Sequence, residues 1–182
     1  MFNENELKIS LGEGDYLRLA SLTDEKPVRQ VNHYFDTGDL SRMLRVRVKN
    51  GKYALQYKER VSVKDGVFNS VEQGREVDAA FLRKAMEEGA DASFVNGCFG
   101  CAFKHNPRYL GFGVTERIKF CFKGFTLELD KTTVDGATDF ELECEADDRS
   151  IAKLKTLLAE MGIPLAPSEA KSQRFLKIKG LL

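Results

Sequence analysis

The chain has 182 residues, 42% hydrophobic and 31% charged, a length and balance that suit one folded domain (1–182) with a sizeable core and argue against disorder. Its 28 basic and 28 acidic side chains cancel, and no lysine or arginine tract stands apart from acidic neighbours, so neither a nucleic-acid nor a membrane partner is expected. No apolar run approaches the ~20 residues of a membrane span, and the first residues lack the basic-then-apolar order of a signal peptide. The expected location is cytoplasmic, with the cysteines at 98, 101, 121 and 144 held as thiols. Cys98 and Cys101 form one CxxC without a second knuckle, and His33 and His105 offer no ligand spacing, so a structural zinc site is not expected.

In chain order, the opening "NENELKISL" alternates strictly, and a strand is expected over 3–11. A helix follows at 14–22, where Asp15 lies near the N-terminus and Leu17, Leu19, Ala20 and Leu22 supply the apolar positions. Period-two alternation then predicts strands at 28–36, 42–49, 52–59 and 70–77. The next helix, 78–88, has Asp78 as N-cap, buries Phe81, Leu82, Ala85 and Met86, and stops at Gly89. Residues 90–112 give mixed signals and no assignment. Strands at 113–121, 124–130 and 138–145 follow, then a helix at 149–161 with Ile151, Leu154, Leu157, Leu158 and Met161 in one stripe, and a last helix at 168–178 that begins with Ser168. Asn50-Gly51, Asp65-Gly66, Lys123-Gly124 and Asp135-Gly136 mark tight turns. Eight strands joined mostly by hairpins predict an α+β chain built on an eight-stranded antiparallel β-barrel, its helices covering the outside.

The polar positions of these strands are segregated by sign. Arg45 and Arg47 alternate with Leu44, Val46 and Val48; Thr115, Arg117 and Lys119 with Val114, Ile118 and Phe120. Acidic strands answer them: Glu128 and Asp130 beside Leu127 and Leu129, and Glu141, Glu143 and Glu145 beside Phe140, Leu142 and Cys144. Carboxylates at i, i+2 and i+4 on one face lie roughly 7 Å apart in succession and repel one another without a counterion. Any single ExE or RxR is ordinarily a solvated strand face; five such strands in one short chain point to a barrel with its charged face inward. There, acidic strands can hold a divalent metal while basic strands face them across a polar interior. On that reading Glu4 and Glu6 are metal ligands and Lys8 is a phosphate contact.

The ExExK of Glu4, Glu6 and Lys8, with "NHYFDT" at 32–37, "LRVR" at 44–47, "LQYKE" at 55–59, "TERIKF" at 115–120, "ELD" at 128–130, "ELECE" at 141–145 and "KSQRF" at 171–175, resembles the CYTH domain proteins, or triphosphate tunnel metalloenzymes. The likeness runs in order along nearly the whole chain and is strongest to the small bacterial stand-alone members. It implies a triphosphate tunnel that hydrolyses its substrate with Mg2+ or Mn2+. By position it implies metal-site carboxylates at Glu4, Glu6, Glu128, Asp130, Glu141, Glu143 and Glu145, with Glu4, Glu6, Glu143 and Glu145 as the catalytic set. The implied phosphate-binding residues are Lys8, Arg45, Arg47, Lys58, Arg75, Arg117, Lys119 and Lys171, with Arg174 a weaker candidate; of the adjacent Arg75 and Glu76 only one can point inward. The expected activity is metal-dependent hydrolysis of tripolyphosphate, ATP or a similar small molecule, with a homodimer allowed. Adenylyl cyclase, thiamine triphosphatase and a polyphosphate sensor without turnover are the alternatives.

Overall fold

Four two-residue turns set the frame. Asn50-Gly51, Asp65-Gly66, Lys123-Gly124 and Asp135-Gly136 each place both residues at positive φ, between 47° and 85°, the type I′ geometry whose twist matches that of antiparallel strands. In the computed structural model, which describes the backbone from Phe2 and side chains from Asn5 to Leu182, they join β3 (Arg42–Lys49) to β4 (Lys52–Lys64), β4 to β5 (Val67–Val77), β6 (Tyr109–Phe122) to β7 (Phe125–Val134) and β7 to β8 (Ala137–Glu145). With β1 (Phe2–Leu11) and β2 (Val28–Phe35) they close an antiparallel barrel in the order β1-β5-β4-β3-β2-β6-β7-β8.

The apolar side of each strand faces outward, because that is where the helices lie. On one flank Leu7, Ile9, Ile118, Phe120, Leu127, Leu129 and Leu142 pack beneath Tyr16 and Leu19 of α1 (Glu13–Ala20) and Ile151, Leu154 and Leu158 of α4 (Asp148–Glu160). On the other, Leu44, Val46, Leu55 and Tyr57 pack beneath Leu82 and Ala85 of α2 (Ala79–Glu88) and Val95 and Phe99 of α3 (Ala92–Phe99). Each covered Leu or Phe contributes about 1.5–3 kcal/mol. Two cores outside the barrel leave its bore free for charge.

One end of the bore is stoppered by α5 (Lys171–Ile178). Phe175, 1% exposed, joins Tyr34, Met43 and Val134 in a small third core, its ring 4.5 Å from that of Tyr34. Gly111, at φ +128°, makes room: a Cβ there would meet Lys179 Cε at 2.9 Å and the Phe175 ring at 3.4 Å.

Several boundaries differ from expectation. Strands β4 and β5 run to Lys64 and from Val67 because the Asp65-Gly66 turn keeps them paired past a bulge at Arg60/Ser62; Val61 and Val63 are consequently exposed on a projecting hairpin. The unassigned 90–112 stretch contains α3, capped by the Asp91 carboxylate accepting from Phe94 N at 3.0 Å and ended by left-handed Gly100, then the first residues of β6. Helix α5 starts at Lys171 rather than at Ser168. Ser168 is committed elsewhere: its N–H donates to Lys8 O at 3.2 Å and its hydroxyl accepts from Arg174 at 2.6 Å.

Candidate active site

Strand register sets charged side chains side by side in the bore, in pairs of unlike and of like sign. Lys8 of β1 is paired with Glu143 of β8, and Glu6 with Glu145. Arg117 of β6 is paired with Asp130 of β7, Lys58 of β4 with Glu72 of β5, and Arg47 of β3 with Asn32 of β2. Side chains of Lys8, Arg45, Arg47, Lys58, Arg60 and Arg117 line a cavity of ≈ 160 Å³ together with the carboxylates of Glu6, Glu72, Glu143 and Glu145.

The bore has two electrostatic zones. The first is carboxylate-rich. Asp130, Glu141 and Glu143 are buried, with one oxygen of each lying within 4.8 Å of the others. Lys171 Nζ sits against all three, 2.8 Å from Asp130 and 2.5 Å from Glu143, and bonded to Glu141. Arg117 bridges Glu128, Asp130 and Glu143, while Arg174 joins Glu141 to Asp139. Burial alone would raise the Glu143 pKa; Lys171, Lys8 and Arg117 outweigh it and hold the group well below the usual carboxylate range. Glu6 goes the other way: burial and the Glu143 charge raise its pKa against the pull of Lys8, 2.7 Å away, and Lys58.

The second zone is short of negative charge. Arg45 gives its Nε to Gln56 at 2.8 Å and stands 3.9 Å from Glu72, a carboxylate it shares with Lys58 at 3.6 Å. Arg47 donates its Nε to Asn32 at 2.9 Å and among the described residues has no carboxylate within ion-pair distance. Burial, with Arg45 and Arg117 as like-charged neighbours, pushes its pKa down to about 9. A guanidinium so placed is still charged at neutral pH and lacks the anion that desolvation demands.

Hard carboxylate oxygens in a cluster of this kind fit a magnesium or manganese ion, which binds oxygen donors and keeps part of its shell for water and phosphate. Glu6, Lys8, Arg45, Arg47, Lys58, Arg117, Glu143, Glu145 and Lys171 all reach the cavity. Asp130 and Glu141, both 0% exposed, lie behind it, Glu128 is tied to Arg117 and Lys119, and Lys119 is 62% exposed at the rim. The side chain of Glu4 lies outside the described residues. Arg75 requires correction: it is register-paired with Leu55, on the outward side of the sheet, and is exposed. The charged residue of that strand that lines the cavity is Glu72. Sequence reasoning missed it and also missed Arg60, Gln56 and Asn32, although Glu72 shares its period-two face with Ser70 and Arg60 lies two residues beyond Lys58.

The CYTH domain family matches residues 3–176. A Bacillus subtilis protein named "Putative triphosphatase YjbK" is 29% identical over 188 residues, spanning 97% of this chain and 95% of its own. Two solved structures share the fold. The Hippeastrum protein HpAC1, described as a "putative adenylyl cyclase" with a dominant triphosphatase activity, superposes with a TM-score of 0.73 at 26% identity over 98% of this chain and 97% of that one. A Bacillus halodurans "putative adenylate cyclase" superposes with a TM-score of 0.74 at 22% identity over 96% and 99%. With a charged bore inside an eight-stranded barrel and a family match over nearly its whole length, this chain belongs to the CYTH domain family.

Proposed function

We propose that the tunnel binds a triphosphate and hydrolyses a terminal phosphoric anhydride bond with a divalent metal, tripolyphosphate being the simplest substrate. The observation that carries this reading is Arg47: a half-buried guanidinium with an amide partner, and with Arg45 and Arg117 as like-charged neighbours, is a site prepared for an anion. The relatives support it, since YjbK is named for triphosphatase activity and HpAC1 described by it.

The residues divide the work by sign. Arg45 and Arg47 have planar forks that can grip phosphate oxygens, and Lys58 adds a point charge, so the polyanion is held along the cationic wall of β3 and β4, with Lys8 reaching it from among the carboxylates of the facing side. Carboxylates cannot touch phosphate without repulsion; Glu6, Glu143 and Glu145 line the other side of the cavity and, with Asp130 and Glu141 clustered beside Glu143, are the groups to hold the metal. A bound magnesium or manganese would supply Lewis-acid polarisation of phosphate oxygens and a more acidic water. Phosphoryl transfer asks mainly for positioning and stabilisation of spread charge, which Arg47 and Arg117 provide from fixed positions on β3 and β6. The α5 stopper shields that end of the bore from bulk water.

The test is release of orthophosphate from tripolyphosphate, ATP and thiamine triphosphate with Mg2+, Mn2+ or excess chelator, with cyclic AMP assayed in the ATP reactions. Metal-dependent orthophosphate from tripolyphosphate is expected, lost in Arg47→Met and Glu143→Gln. Cyclic AMP with pyrophosphate and no orthophosphate would place the activity in the cyclase class instead, and binding without turnover would make the tunnel a sensor.

A further inference from the structure

We infer that the ammonium of Lys171 is the protein's own stand-in for a metal ion among Asp130, Glu141 and Glu143, and that loading the tunnel with a divalent cation drives this side chain off those carboxylates and into the cavity. The inference rests on the metal-dependent reading above and goes further, because it makes one lysine a built-in competitor of the ion.

Cations already meet every carboxylate of the cluster without any metal. Lys171 touches Asp130, Glu141 and Glu143, Arg117 touches Asp130 and Glu143, Arg174 touches Glu141 and Lys8 touches Glu143, with Arg117 and Arg174 shared with Glu128 and Asp139. A small divalent ion takes carboxylate oxygens at about 2.0–2.1 Å. Lys171 Nζ already touches an oxygen of each carboxylate, its side chain only 10% exposed. Ion and ammonium would be crowded together at like charge in a site with little water to screen them. One must leave.

Lys171 is the cation free to do so. Arg117 is rooted on a central stretch of β6 and contacts Glu128, Asp130 and Glu143 at once. Arg174 is fixed by Asp139, Glu141 and Ser168, and Phe175 anchors the helix in its own apolar core. Lys171 stands at the first residue of α5, in the wall of the tunnel cavity between Ala170 and Ser172. Its long flexible stem can swing from the carboxylates toward the space a phosphate would fill while the helix stays seated. The same residue would neutralise the empty site and then meet the substrate, so that metal entry and presentation of a cation to phosphate are one event.

The test needs no turnover. Titrating Mn2+ alone into wild type and Lys171→Met at pH 8, by calorimetry, should show binding at least tenfold tighter in the variant. In wild type, labelling of Lys171 by an amine-reactive reagent, read by peptide mass spectrometry, should rise severalfold when Mn2+ is added; this measurement stands if the variant fails to fold. Equal Mn2+ affinity with unchanged labelling would overturn the inference: Lys171 would then be a permanent staple for α5, and the ion would lie elsewhere. That result leaves the metal-dependent reading intact, whereas no Mn2+ binding to either protein would sink both.

Discussion

Arg47 and Asn32, paired across β3 and β2, meet through a single bond from guanidinium Nε to amide oxygen at 2.9 Å, an arrangement that leaves the guanidinium without an ion-paired carboxylate among the described residues. Removing Arg47 alone would strand the amide oxygen of Asn32, which is 1% exposed, at a cost of about 1–3 kcal/mol. Removing both partners avoids that cost. The double variant Arg47→Met/Asn32→Leu should therefore melt at or above the wild-type temperature without ligand, by up to roughly 4 °C if about 1 kcal/mol of desolvation is relieved. Tripolyphosphate should raise the melting point of wild type, by mass action on the folded state, and leave the double variant unmoved. Differential scanning fluorimetry decides it: a variant that melts lower yet still responds to ligand would show that Arg47 is structural.

Strand β5 offers a test of which face is functional. Glu72 lies inward beside Arg45 and Lys58, whereas Arg75 is exposed on the outer side opposite Leu55. Arg75→Ala should leave tripolyphosphate affinity within about twofold. Glu72→Gln removes a like charge from the anion's neighbourhood and should tighten metal-free binding by roughly fivefold, about 1 kcal/mol, well inside what one charge at a few ångströms supplies. Calorimetry in chelator measures both; weaker binding in Glu72→Gln would mean that this carboxylate serves chiefly to orient Arg45.

The same strand shows why sequence revealed some features and concealed others. Period-two alternation with opposite signs was enough to turn the charged faces of β3, β6, β7 and β8 inward, because each carries Leu, Val, Ile or Phe on its other side. In β5 the residues around Gly74 are polar on both faces, so parity alone could not separate Glu72 from Arg75. The unassigned 90–112 stretch hides a helix of eight residues, too short for apolar periodicity to declare itself and held by its Asp91 cap and by packing on β3 and β4. The contact of Lys171 with three carboxylates depends on the way α5 folds back onto the bore, which local pattern does not encode.

Phe175 holds that helix in place. It is 1% exposed against Tyr34, Met43 and Val134, and Phe175→Ala in such a setting costs about 3–5 kcal/mol. Because Phe175 is the buried residue of α5, the loss should appear first as local opening. Limited proteolysis should cut the variant around 170–178 much faster than wild type, with the barrel fragment persisting, and the urea midpoint should fall. Unchanged cleavage would show that Lys171 and Arg174 suffice to seat the helix.

A pH dependence follows from His33, on the outward side of β2. Its Nδ1 lies 3.0 Å from the hydroxyl of Tyr109, and its ring lies against Tyr109 and Phe112 at centroid distances of 5.9 and 5.8 Å. Burial lowers its pKa from the usual 6.5. A group whose folded-state pKa is depressed contributes stability that is fully present above its unfolded value and is lost as pH falls, because the unfolded chain takes up the proton more readily. Between pH 7.5 and 5 the melting temperature of wild type should therefore decline more than that of His33→Gln, and the difference between the two curves should narrow as pH falls. Carboxylates that titrate lower cancel in that comparison, since both proteins carry them. Parallel curves would mean that His33 keeps its solution pKa and that the aromatic pocket stays open to water.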